Sequence, residues 1–131
     1  MRKIVLSLIL MMTCAFSDVK HVWATENFVE KDIKIIDIRT NPEWIETGIV
    51  KGSYTITFFD QYGRFDIPKF LEELNKVVKK DEQFALICRV GSRTERISMF
   101  LSSRLGYNVI NMKGGIVKMI KEGYETTPYN K

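Results

Sequence analysis

The sequence predicts an α/β fold, a mostly parallel sheet with helices on both faces. Three observations predict it. Short apolar runs recur along the chain at 33–38, 84–87 and 109–112. The segments between and after them open with helix-start residues or carry apolar side chains at helical spacing. Glycine, proline and polar capping residues stand at the junctions. With 131 residues, 45% of them hydrophobic, the chain has enough material for one core and not for two, so one domain is expected.

The N-terminus stands apart in composition. Arg2 and Lys3 precede an apolar stretch over 4–16, and Ala15 and Ser17 put small side chains where a signal peptidase requires them. The stretch falls short of the roughly 20 apolar residues that cross a bilayer. A secretory signal over 1–17, cleaved before Asp18, is expected, with one domain over 18–131 and export to the periplasm. An uncleaved anchor, or a lipid on Cys14, fits the pattern less well, since Met11, Met12 and Thr13 are poor company for a lipidated cysteine. Cleavage removes Arg2 and Lys3 and takes the net charge from +4 to +2, which gives no basis for a nucleic-acid or membrane-surface partner. It also removes Cys14 and leaves Cys88 as the one cysteine. A lone thiol in an exported chain is either buried and inert or reactive.

The first run, I-K-I-I-D-I (33–38), is apolar and β-branched and predicts a buried strand. Asn41, Pro42 and Glu43 follow as N-cap, first-turn proline and first-turn acid of a short helix to about Thr47. Gly48 and Gly52 bracket a turn, and 53–56 forms a short strand. Asp66 and Pro68 open a second helix that lines up Phe70, Leu71, Leu74, Val77 and Val78 on one face. Residues 84–87 are the next buried strand. Ile97, Phe100, Leu101 and Leu105 then keep helical spacing until Gly106 stops the helix. V-I-N-M (109–112) is the last strand, and Gly114-Gly115 turns into a helix ending near Gly123. In parallel sheets, sites form at the carboxyl ends of strands. Asp37, Cys88 and Asn111 all fall at such ends, so one rim is expected to carry them.

Cys88 ends its strand, and a helix begins at Ser92 or Arg93. The turn between, Arg89-Val90-Gly91-Ser92, has to curl tightly, and Gly91 permits the backbone that this requires. Successive N–H groups in such a curl form an anion-binding nest, reinforced by the positive end of the helix dipole. A sulfur at its centre is favoured as thiolate, and Arg89 and Arg93 add positive charge. One site would thus activate the nucleophile and receive an anion. The plain alternative is a buried, inert cysteine at a strand–helix junction with surface arginines beside it. One histidine and one cysteine do not make a metal site, and no cofactor is expected. His21 lies far from the loop in sequence and is given no role.

The stretch C-R-V-G-S-R (88–93) resembles the active-site loop of rhodanese sulfurtransferases, C-R-x-G-x-R in the thiosulfate-using members. I-I-D-I-R (35–39), P-E-W-I-E-T-G-I-V-K-G-S (42–53), N-M-K-G-G-I (111–116) and E-G-Y (122–124) are similar to further motifs of that family. The likeness runs over about 33–128, and with the signal the chain looks most like the small single-domain rhodaneses exported to the bacterial periplasm. Two positions depart: Ile49 stands where many members have histidine, and Met119 where many have tryptophan.

The resemblance implies a rhodanese-like sandwich around a parallel five-strand sheet. It also implies sulfur transfer in two steps through a Cys88 persulfide, from thiosulfate or a related small anionic donor to cyanide or a thiol. The backbone of Arg89, Val90, Gly91, Ser92 and Arg93 would bind the substrate, with the two arginines on its sulfonate end. Asp37 and Arg39 would be a structural ion pair under the loop. Three alternatives stay open. A cysteine phosphatase or arsenate reductase uses a similar nest, but only four residues separate Cys88 from Arg93, which makes the cradle small for a tetrahedral oxyanion. A non-catalytic rhodanese-fold binding module usually lacks the cysteine. A sulfur carrier would share the same site and differ only in its acceptor.

Overall fold

All strand pairs of the sheet are parallel, in the order β1-β5-β4-β2-β3. The computed structural model describes residues 18–130, so the signal expected over 1–17 lies outside the described residues. The strands are β1 (Lys20–Trp23), β2 (Lys34–Asp37), β3 (Tyr54–Thr55), β4 (Phe84–Ile87) and β5 (Val109–Lys113). The helices are α1 (Glu26–Val29), α2 (Asn41–Thr47), α3 (Ile67–Val77), α4 (Ser92–Leu105) and α5 (Gly115–Lys121).

The strand and helix runs found in the sequence are all present, with ends that differ by a few residues. Two elements have no counterpart there, β1 and α1. Three of the four residues of β1 are exposed, so Lys-His-Val-Trp shows no apolar alternation, and only its pairing with β5 makes it a strand. The cap of α2 is Thr40 rather than Asn41. The Glu43 carboxylate accepts from the Thr40 N–H at 3.4 Å and from its hydroxyl at 3.1 Å, which pulls Asn41 and Pro42 into the first turn. Asp66 caps α3 as expected, accepting from the Lys69 N–H at 3.1 Å.

The period of two along each strand sorts the core into two layers. Ile36, Phe84, Leu86 and Val109 face α3 and α4, where Phe70, Leu74, Ile97 and Leu101 meet them. Ile35, Ala85, Ile87, Ile110 and Met112 face the other way, against Phe28 of α1 and Ile116 and Met119 of α5. Cys88 continues the 84, 86 series and lies on the α3/α4 side. Met119 is packed in the opposite layer, and Ile49 pairs with Thr127 to hold the C-terminal segment, so both departures are accommodated as packing. Among the described residues no helix is long and apolar enough to cross a membrane.

Candidate active site

Register brings the rim together. Asp37 pairs with Ile87, the residue before Cys88, and Leu86 pairs with Asn111. Asp37, Cys88 and Asn111 are all buried.

The loop after β4 is shaped by two glycines and one helix end. Gly91 adopts φ 97°, a left-handed conformation that turns the chain into α4, and its N–H donates to Cys88 Sγ at 3.2 Å. The loop carbonyls are drawn the other way. The N–H groups of Ile116 and Val117, in the first turn of α5, donate to the carbonyls of Cys88 and Arg89 at 3.0 and 3.1 Å. These N–H groups are the ones a helix leaves unpaired at its start, so α5 satisfies itself by holding the loop. Gly115, at φ 64°, makes the approach possible, because a Cβ there would stand 2.6 Å from the Cys88 carbonyl oxygen and nearer still to that of Arg89.

The sulfur is fully buried, and Thr94 Oγ1 lies 3.6 Å from it. The Thr94 hydroxyl also reaches the Gly91 carbonyl at 3.1 Å and Asn111 Oδ1 at 2.6 Å. Asn111 Nδ2 in turn stands 3.0 Å from Nδ1 of His21. A hydrogen-bond donor to sulfur favours its negatively charged form.

The arginines are held by α2. Arg93 forms two short bonds to Glu43, Nη1–Oε1 at 2.9 Å and Nη2–Oε2 at 2.7 Å. The pair is reflected in both titrations. Burial pushes the Glu43 carboxyl up, but the Arg93 hydrogen bonds and charge, helped by Thr40, outweigh it and bring it down to about 2. The Arg93 guanidinium is raised, first by the Glu43 hydrogen bonds and further by negative charge at Cys88 and Asp37. Arg89 stays half-exposed, 3.9 Å from the exposed Glu46. Val90 is exposed, and Ser92 opens α4.

Asp37 and Arg39 form the expected ion pair, Nε–Oδ1 and Nη2–Oδ2 both at 2.9 Å and both side chains fully buried. Its further contacts differ from the expectation. Arg39 reaches Gly48 O at 3.0 Å, Thr47 Oγ1 at 2.8 Å and Glu43 O at 3.4 Å. It therefore holds the C-terminal half of α2, and its link to the cysteine loop runs through that helix and Glu43.

Four contributors to the site had no assigned role in the sequence. Glu43 was visible as a first-turn acid and Gly115 as half of a Gly-Gly pair, but neither pattern names a partner. Thr94 and His21 carried no signal, because their importance is a contact across the fold.

A strand-end cysteine held at a helix start in this way fits the rhodanese class, and comparison places the chain there. The model of the rhodanese-like domain matches residues 21–122, so the chain belongs to the rhodanese-like family. It is 31% identical over 101 residues to the Bacillus subtilis (strain 168) protein named "Putative sulfurtransferase YtwF", covering 77% of this chain and 84% of that one. It is 28% identical over 104 residues to the Arabidopsis thaliana "Protein HIGH ARSENIC CONTENT 1, mitochondrial", covering 79% of this chain. The match spans 62% of the length of that relative. Among solved structures, a rhodanese-like domain protein from Staphylococcus aureus superposes with a TM-score of 0.61 at 23% identity, over 83% of this chain and 99% of that one. A rhodanese-related protein from Thermoplasma volcanium gives 0.57 at 29% identity, over 79% and 95%.

Proposed function

We propose that the protein is a sulfurtransferase that carries sulfane sulfur as a persulfide on Cys88. The observation that carries this is the Gly91 N–H donating to Cys88 Sγ at the head of α4, in a loop whose first two carbonyls are held by α5. Membership of the rhodanese-like family and the name of the Bacillus subtilis relative support it. The Cys88 thiolate attacks the outer sulfur of thiosulfate, or of a related donor. The donor's S–S bond breaks and sulfite leaves with the electron pair. Cyanide or a thiol then attacks the outer sulfur of the persulfide, and the Cys88 thiolate is released. Backbone N–H groups of the loop stabilise the sulfur anion in both steps. Arg89, half-exposed beside the loop, meets the anionic end of the donor, while Arg93, engaged by Glu43, fixes the loop. Export to the periplasm, with removal of 1–17, belongs to the same proposal and is supported by the positive pair and apolar run of that segment.

The test is the intact mass after incubation with thiosulfate, beside Cys88→Ser. One added sulfur atom on the wild type alone, discharged by cyanide as thiocyanate, is the expected result. No addition from thiosulfate or another sulfane donor overturns the proposal and leaves the binding-module alternative.

Arsenate reduction at the same cysteine is a second reading, motivated by the Arabidopsis relative, whose name refers to arsenic content. Arsenite formation from arsenate and a thiol reductant, lost in Cys88→Ser, would establish it. Its absence alongside persulfide formation would remove it.

A further inference from the structure

The buried polar groups behind Cys88 form a continuous file that ends at the surface. It runs from Cys88 Sγ to Thr94 Oγ1 (3.6 Å), to Asn111 Oδ1 (2.6 Å), and from Asn111 Nδ2 to His21 Nδ1 (3.0 Å). Cys88, Thr94 and Asn111 are buried, whereas His21 is exposed on the edge strand β1 and lines a cavity of about 560 Å³ with Trp23, Gly91 and Lys113. We propose that His21 is a positioning residue for Cys88, acting through Asn111 and Thr94 by setting the direction in which this file of hydrogen bonds points.

Thr94 has one hydroxyl proton, and Asn111 has one amide oxygen and one NH₂ group. With His21 neutral and Nδ1 bare, Asn111 Nδ2 donates to His21, Asn111 Oδ1 accepts the Thr94 proton, and Thr94 Oγ1 is left to accept from a Cys88 thiol. With His21 protonated, Nδ1 carries a hydrogen and must donate, so Asn111 turns its amide over. Oδ1 then accepts from His21 and Nδ2 donates to Thr94 Oγ1. The Thr94 proton, displaced from Asn111, is shared between the Gly91 carbonyl at 3.1 Å and the sulfur at 3.6 Å, and where it points at sulfur it favours a thiolate. Protonation of His21 and loss of the Cys88 proton then favour each other, and the two together leave net charge unchanged. Burial of the middle of the file makes a mismatch at either end costly.

Other charges bear on His21 and have to be separated from this effect. Lys20 precedes it on β1, Lys113 faces the cavity from β5, and Glu95 faces it from α4. Those act through space and do not require Asn111 or Thr94. The inference rests on Cys88 as the working nucleophile, but its test does not use sulfur transfer.

His21 is the one histidine of the chain, so its ring protons can be followed by NMR without assignment of others. Coupling is reciprocal, so a thiolate at Cys88 favours protonated His21 as much as the reverse. Cys88→Ser is therefore expected to lower the midpoint of the His21 titration. In parallel, the ultraviolet absorbance of the Cys88 thiolate is read against pH, with Cys88→Ser subtracted. His21→Gln, which keeps an amide at the file's end but does not titrate, is expected to lower the thiolate fraction near pH 6 by about fivefold or more. The two proteins should converge at alkaline pH. A His21 midpoint unmoved by Cys88→Ser, a His21→Gln profile that follows the wild type at every pH, or a linkage that survives Thr94→Val, which cuts the file but leaves the charges, overturns the inference. Persulfide formation that fails while this linkage persists would instead count against sulfur transfer alone.

Discussion

Glu43 and Arg93, 50 residues apart in sequence, meet in a two-pronged ion pair of 2.9 and 2.7 Å that fastens α2 to the cysteine loop. The geometry is bidentate and half-buried, which places it above a surface ion pair in worth. Both residues have a second task. Glu43 also accepts from the cap of its own helix, and Arg93 lies in the first turn of α4. Removing the carboxylate therefore loosens the start of one helix and the anchor of another.

Glu43→Gln is expected to destabilise the fold by about 1.5–3 kcal/mol at neutral pH, the range for hydrogen bonds to charged groups. The pH dependence follows from the direction of the shift. Glu43 titrates at about 2 in the folded chain against an ordinary 4.5. The folded value is the lower one, so the stabilisation is fully present above about 4.5. It is lost as pH falls from there through about 2. Urea unfolding of both proteins at pH 7 and pH 3 checks this. A gap between them that fails to narrow in acid would show that the pair is not its source.

Arg39→Met should be more damaging. It leaves the Asp37 carboxylate buried without its cation and frees the end of α2 at Thr47 and Gly48. Breaking a buried pair from one side costs about 3–5 kcal/mol. The double variant Asp37→Asn/Arg39→Met should lose less than the sum of the singles, since it strands no charge. A denaturant cycle over the four proteins measures the coupling, and strict additivity would contradict a paired role.

What the sequence revealed and what it hid divide along a physical line. Buried strands such as Phe84–Ile87 and helices such as Ile67–Val77 declare themselves, because burial on one face imposes a period and caps mark the ends. The loop around Cys88 was legible for a similar reason, since a tight curl into a helix demands glycine. Lys20–Trp23 was not legible, because an exposed edge strand needs no apolar pattern and is defined by its neighbour. His21, on the same strand, is hidden with it. The clamp from Ile116 and Val117 onto the loop is made by backbone groups, which leave no mark in side-chain identity beyond the glycine that admits them.

The N-terminal segment gives a prediction of its own. Expressed in a bacterium with a periplasm, the chain should be recovered from that compartment beginning at Asp18. Peptide mass mapping of the N-terminus checks it. Arg2 and Lys3 retained on protein from the cytoplasm would contradict both export and cleavage.

Gly115 and Gly52 share a left-handed backbone, φ 64° and 77°, but not a neighbourhood. A Cβ at Gly52 meets nothing within 4 Å, so Gly52→Ala pays only for the conformation, about 1–2 kcal/mol. A Cβ at Gly115 would overlap the carbonyls of Cys88 and Arg89, which cannot move without breaking the bonds from Ile116 and Val117. Overpacking adds about 1–3 kcal/mol to the same conformational cost, so Gly115→Ala should be the less stable of the two. The sharper difference is chemical. Those carbonyls belong to the two peptide groups that open the loop, directly ahead of the one whose Gly91 N–H meets the sulfur. Gly115→Ala that remains folded by circular dichroism should therefore take up sulfur from thiosulfate more slowly than wild type, while Gly52→Ala should match it. Equal uptake in the two variants would mean that α5 supports the fold without shaping the site.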